Sequence, residues 1–107
     1  MSVNWNNKNE VIAEIPNMYY MNLRYLSDEL KDDKDVMYAA VKSNPNSFEF
    51  ASDRLKDDEQ LAIMAVSNGM GHLFKFVSER LKDNSSVVLA AVSRTFLVFF
   101  FHSSMIG

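Results

Sequence analysis

Asp32-Asp33-Lys34-Asp35 puts three carboxylates into four residues, the oxygen-rich composition that suits a calcium ion. The stretch lacks the turn glycine and the distal bidentate glutamate of a calcium-binding loop. Acids so placed also cap helices, which explains them without a metal. The two histidines, His72 and His102, stand near no recurring acid or nucleophile, so neither completes an acid–base pair. The three glycines, Gly69, Gly71 and Gly107, do not make a phosphate-cradling loop. Without cysteine the chain has no thiolate nucleophile, no thiolate metal site and no disulfide, a usage that leans towards a reducing compartment. The remaining acids fall in charged, solvated-looking segments, whereas hydrolytic carboxylate pairs need one buried member with a raised pKa. The expectation is a protein with no catalytic residues, no metal and no cofactor: not an enzyme.

The charges are more informative in their placement. Eleven of the 14 acids lie in 28–35, 53–59 and 79–83. These segments carry one phrase three times: Leu30-Lys31-Asp32-Asp33, Leu55-Lys56-Asp57-Asp58 and Leu81-Lys82-Asp83-Asn84, in steps of 25 and 26 residues. A fixed period of this size marks repeated supersecondary units. In the same register fall Ser27, Ser52 and Ser78, then Val36, Leu61 and Val87, then Ala40, Ala65 and Ala91, then Val41, Val66 and Val92. One period earlier, Trp5 to Val11 reads as a degenerate copy.

Each copy reads as two helices. The first covers roughly 33–43, 58–67 and 84–94, with Asn7, Asp32 and Asp57 as N-caps and the pairs Asn7/Glu10 and Asp57/Gln60 as capping boxes. It ends at Pro16, at Asn44-Pro45 and at Asn68-Gly69. In the second, Phe48, Ala51, Ser52 and Leu55 fall at i, i+3, i+4 and i+7 and predict one buried helical stripe. Tyr19, Tyr20, Tyr25, Phe48, Phe50, Phe74 and Phe76 are expected in the core. Part of the surface at Met18-Tyr19-Tyr20-Met21 suits an interaction hot spot. The predicted fold is all-α: a short, α-solenoid-like helical-repeat stack of antiparallel helix pairs, about three to four units of 25–26 residues. It forms a single domain, 1–107, divided into a degenerate first unit 1–29, units 30–54 and 55–80, and an atypical last unit 81–107.

Phe48-Glu49-Phe50-Ala51-Ser52-Asp53-Arg54-Leu55-Lys56-Asp57-Asp58 resembles the domain of unknown function 4116 helical repeat family. The shared phrase is an aromatic-bearing helix ending Ala-Ser-x-x-Leu, then Lys-x-Asp before an alanine-rich helix. The resemblance spans roughly 23–92. It implies a helical-repeat fold, similar to modules found in tandem in bacterial, protist and large-virus proteins. It implies no catalytic residues and no cofactor.

A net charge of −3 makes the chain mildly acidic and disfavours binding to nucleic acid or anionic lipid. The most apolar stretch, 87–101, falls short of the roughly 20 residues a membrane span needs and contains Arg94, so no membrane span is expected. The first residues show no cationic segment followed by an apolar one, so no signal peptide is expected. Together these point to a cytoplasmic protein, in the host cytoplasm if viral or an effector. The function expected is a non-catalytic protein–protein interaction module of unidentified partner. One alternative is an intracellular microbial or viral effector that binds a basic partner through Asp28, Asp32, Asp33, Asp35, Asp53, Asp57, Asp58 and Glu59. The other is a self-assembling structural subunit. The apolar tail containing Phe96, Phe99, Phe100 and Met105 departs from the repeat and predicts a homodimer through the C-terminal helix.

Overall fold

The computed structural model describes residues 3–69 and 71–92. Its α-helices are α1 (Lys8–Glu14), α2 (Asp28–Lys31), α3 (Lys34–Ser43), α4 (Asp53–Lys56), α5 (Glu59–Asn68), α6 (Glu79–Lys82) and helical residues 85–92, here α7. Four 3₁₀ segments alternate with them: Ile15–Asn17, Tyr20–Tyr25, Pro45–Phe50 and Gly71–Phe76. No strand occurs among the described residues.

The ten-residue helices α3 and α5 start where an aspartate side chain accepts a backbone N–H. Asp33 caps α3 through the Val36 N–H and Asp58 caps α5 through the Leu61 N–H. The caps thus lie one residue later than the expected Asp32 and Asp57. Those two residues instead close the preceding four-residue helices, at φ −99° in both cases. Asn7 caps α1 as expected, but Glu10 turns its carboxylate to the Asn4 N–H, so no reciprocal capping box forms. The pair Asp57/Gln60 likewise makes no box, since Asp57 is not the cap of α5. Asn84 caps α7 through the N–H groups of Ser86 and Val87.

The second predicted helix of each pair is not one continuous helix. Pro45–Phe50 is 3₁₀, Ala51 and Ser52 are extended with ψ of 151° and 162°, and only then does α4 begin. Ser52 causes the break: its hydroxyl oxygen accepts the Leu55 N–H, which starts a new helix. Ser27 and Ser78 do the same for Leu30 and Leu81. The predicted stripe is still buried at Phe48, Ala51 and Leu55, because turn and short helix together deliver those side chains to one side.

The α-solenoid-like stack of antiparallel helix pairs is therefore corrected. The elements pack around one continuous core, and those apart in sequence meet there: α1 on α3, α3 on α5, and Tyr20–Tyr25 and Gly71–Phe76 each on Pro45–Phe50. Val36, Leu61 and Val87 are fully buried, as are Leu55, Leu81, Ala40 and Ala65. Full burial of each leucine or valine contributes about 1.5–3 kcal/mol before ordering entropy. Val92, aligned with buried Val41 and Val66, is 52 % exposed.

Candidate interaction surface

The recurring acids organise the links between successive segments. The Ser52 N–H donates to the Lys31 carbonyl at 3.0 Å, and the Ser78 N–H to the Lys56 carbonyl at 3.1 Å. Asp32 locks the first link: it accepts from the Ser52 hydroxyl at 2.6 Å and from Arg54 Nε at 2.8 Å, while Arg54 Nη2 donates to the Asp32 carbonyl. Asp57 does the same in the second, with Ser78 at 2.6 Å and Arg80 Nε at 2.9 Å. The serine hydroxyls, followed by the arginines, hold both carboxyls below the usual carboxylate range.

The neighbouring acids are engaged as well. Lys8 Nζ lies 3.0 Å from Asp33 and 2.8 Å from Asp35. Asp58 accepts the Leu61 N–H and the Tyr38 hydroxyl and faces Lys34 Nζ at 3.2 Å. Burial would push Asp58 up, but the Leu61 N–H, Lys34 and Tyr38 outweigh it and hold the carboxyl low. Burial, then the hydrogen bond to Asp58 and its charge, raises the Tyr38 phenol to about 12.

Of the eight acids assigned to the edge, Asp32, Asp33, Asp35, Asp57 and Asp58 each sit beside a cation. Asp28, Asp53 and Glu59 carry no ion pair among the described residues. The junction is a mixed-charge seam, which corrects the expectation of an acidic face.

A different surface is built from aromatics. In the 3₁₀ segment Tyr20–Tyr25, three residues make one turn, so Tyr20, Leu23 and Leu26 face the core while Tyr19 and Tyr25 face away. Leu23 is buried, whereas Tyr19 is 65 % and Tyr25 53 % exposed. The Trp5 and Tyr25 ring centroids lie 5.8 Å apart. The Arg24 guanidinium lies 4.9 Å from the Tyr25 ring centre, and its Nη2 donates to the Tyr25 hydroxyl at 2.8 Å. Tyr20 bridges Tyr19 and Phe50. Assigning all seven aromatics to the core is thereby corrected: Phe48 is fully buried, Tyr20, Phe50, Phe74 and Phe76 are partly buried, and Tyr19 and Tyr25 are outside.

His72 Nε2 pairs with Asn46 Oδ1 at 3.0 Å on an exposed turn. Among the described residues no group of three His, Cys, Asp or Glu side chains is arranged to hold a metal ion. His102, Phe96, Phe99, Phe100 and Met105 lie outside the described residues. The homodimer expectation stood on that tail alone and is not carried further. No helix among the described residues is long and apolar enough to cross a membrane. That observation assigns no compartment, so the cytoplasmic expectation is not carried further either.

Packing without strands among the described residues, short capped helices and a mixed-charge seam define a small all-α domain. A family model described as Domain of unknown function (DUF4116) matches residues 17–56 and, in an overlapping second placement, residues 38–70, together half of the chain. The chain belongs to this family. No curated protein and no solved structure matches it.

Proposed function

We propose that the chain is a non-catalytic protein–protein interaction module whose contact face is the Trp5, Arg24 and Tyr25 cluster, extended by Tyr19 at the start of the same 3₁₀ segment. The observation that carries this reading is the exposure of Tyr25 beside Trp5 and Arg24, with Tyr19 also exposed. Trp, Tyr and Arg dominate binding energy at protein interfaces, because each offers a large contact area with a polar handle. The tilted Trp5–Tyr25 ring contact and the Arg24–Tyr25 hydrogen bond hold the face in shape before any partner arrives, which lowers the ordering cost of binding.

The rival reading, an effector that grips a basic partner along the junction acids, has less support. Its carboxylates are mostly engaged with the protein's own cations, and capturing a partner would first break those pairs. The test is affinity capture with the intact chain against a Tyr19→Ser/Tyr25→Ser variant whose helix content is unchanged. A protein captured by the first and lost from the second is the expected outcome. Identical capture by both would remove the aromatic face from the proposal.

A further inference from the structure

The segment Gly71–Phe76 meets α4 and α6 around a surface cleft of about 340 Å³, lined by Lys56, Lys75, Phe76, Val77, Glu79 and Lys82 together with Asp53 and Ser78. Its size falls at the lower end of the roughly 300–1,000 Å³ typical of ligand sites. Lys56 Nζ lies 5.5 Å and Lys75 Nζ 5.2 Å from the centre of the Phe76 ring. Neither ammonium makes an ion pair among the described residues, whereas Lys82 is paired with Glu79 at 3.1 Å. The ring face attracts both cations, yet the two ammoniums repel each other. An anion beside either ammonium offsets that repulsion. The walls are fixed independently of any ligand, since the Ser78 N–H holds the Lys56 carbonyl and the Ser78 hydroxyl is held by Asp57.

We infer that this cleft binds a short acidic peptide segment, one or two Asp or Glu side chains beside an apolar one. A carboxylate of the peptide pairs with Lys75 or Lys56 at the cleft, and the apolar side chain rests on Phe76 and Val77. Charge selects the occupant. The unpaired ammoniums call for an anion, while Asp53, Glu79 and a net charge of −3 oppose an extended polyanion such as a nucleic acid. The cleft shares no residue with the aromatic face and stands or falls separately from it.

The experiment titrates the full chain with a dye-labelled peptide carrying two glutamates around a leucine, followed by fluorescence anisotropy. A glutamine counterpart and a single-stranded oligonucleotide serve as competing probes. Saturable binding of the glutamate peptide is expected, weaker for the glutamine peptide and in Lys75→Glu by roughly tenfold each, and weakening further with salt. Lys75 is exposed, so its replacement leaves the fold intact, and circular dichroism checks this. Tyr25→Ala is expected to bind the peptide as the parent does, which separates this site from the aromatic face. No saturable binding, equal binding of the glutamine peptide, an unaffected Lys75→Glu or preference for the oligonucleotide would each overturn the inference.

Discussion

Asp58 joins three partners: it caps α5, accepts the Tyr38 hydroxyl and faces Lys34. Its replacement by alanine is expected to cost about 1–2 kcal/mol, the loss of a good N-cap, read as a lower urea midpoint at unchanged slope. The aspartates also set the response to acid. Asp32, Asp33, Asp57 and Asp58 are all held below their ordinary value of 3.8. A carboxyl depressed in the folded state stabilises fully above its unfolded pKa and loses that contribution as pH falls through the folded value. Stability should therefore hold down to pH 3.8 and decline below it, in urea melts repeated at successive pH values. Tyr38 acts at the other end. Its folded pKa of about 12 exceeds the ordinary 10.0, so its contribution persists below 10.0 and fades as pH climbs towards 12. Near-ultraviolet titration should show a late tyrosinate that is missing from Tyr38→Phe.

At the scale of elements, the ten-residue helices were legible because alanines, flanking acids and breakers agree. The segments between them were not. Phe48, Ala51, Ser52 and Leu55 satisfy a helical spacing, but a six-residue 3₁₀ turn followed by a capped short helix places the same side chains inward. Hydrophobic periodicity constrains which side chains are buried, and here two backbone paths bury the same set. The column Ser27, Ser52 and Ser78 carried the missing signal, since serine before a charged Asp or Glu and two residues more to leucine is an N-cap pattern. Asn68-Gly69 was read as a breaker, and the packing explains the glycine. A β-carbon at Gly69 would collide with the Leu73 side chain and stand 2.8 Å from the Ala65 carbonyl and 3.1 Å from Pro45 Cβ. Gly69→Ala is expected to destabilise by about 1–3 kcal/mol, measured by thermal or urea unfolding, although the backbone there suits any residue at φ −96°.

For the molecule as a whole, the single buried core predicts one cooperative unfolding transition, seen together by circular dichroism and Trp5 fluorescence. Ala65 has no exposed surface, so Ala65→Leu should overpack the core and lower the midpoint by about 1–3 kcal/mol without splitting the transition. Two separate transitions would contradict a shared core. The candidate surface was only partly legible. Met18-Tyr19-Tyr20-Met21 stood out by composition, but the outward turn of Tyr25 depends on a three-residue period that the sequence pattern does not announce. The junction acids stood out too, yet their partners Lys8, Arg54 and Arg80 come from neighbouring segments, and pairing across segments is set by packing.

The two linking hydrogen bonds have a kinetic consequence. The amide protons of Ser52 and Ser78 find their carbonyls, those of Lys31 and Lys56, only after successive segments have docked. Neither proton is protected by a local turn, so each exchanges with solvent only when its own seam opens. Deuterium uptake at these two amides therefore reports, separately, how often each seam parts in the native ensemble. Equal rates at both, matching global unfolding, would mean that the domain opens all at once. Faster uptake at Ser78 would mean that it peels from the α6 side first.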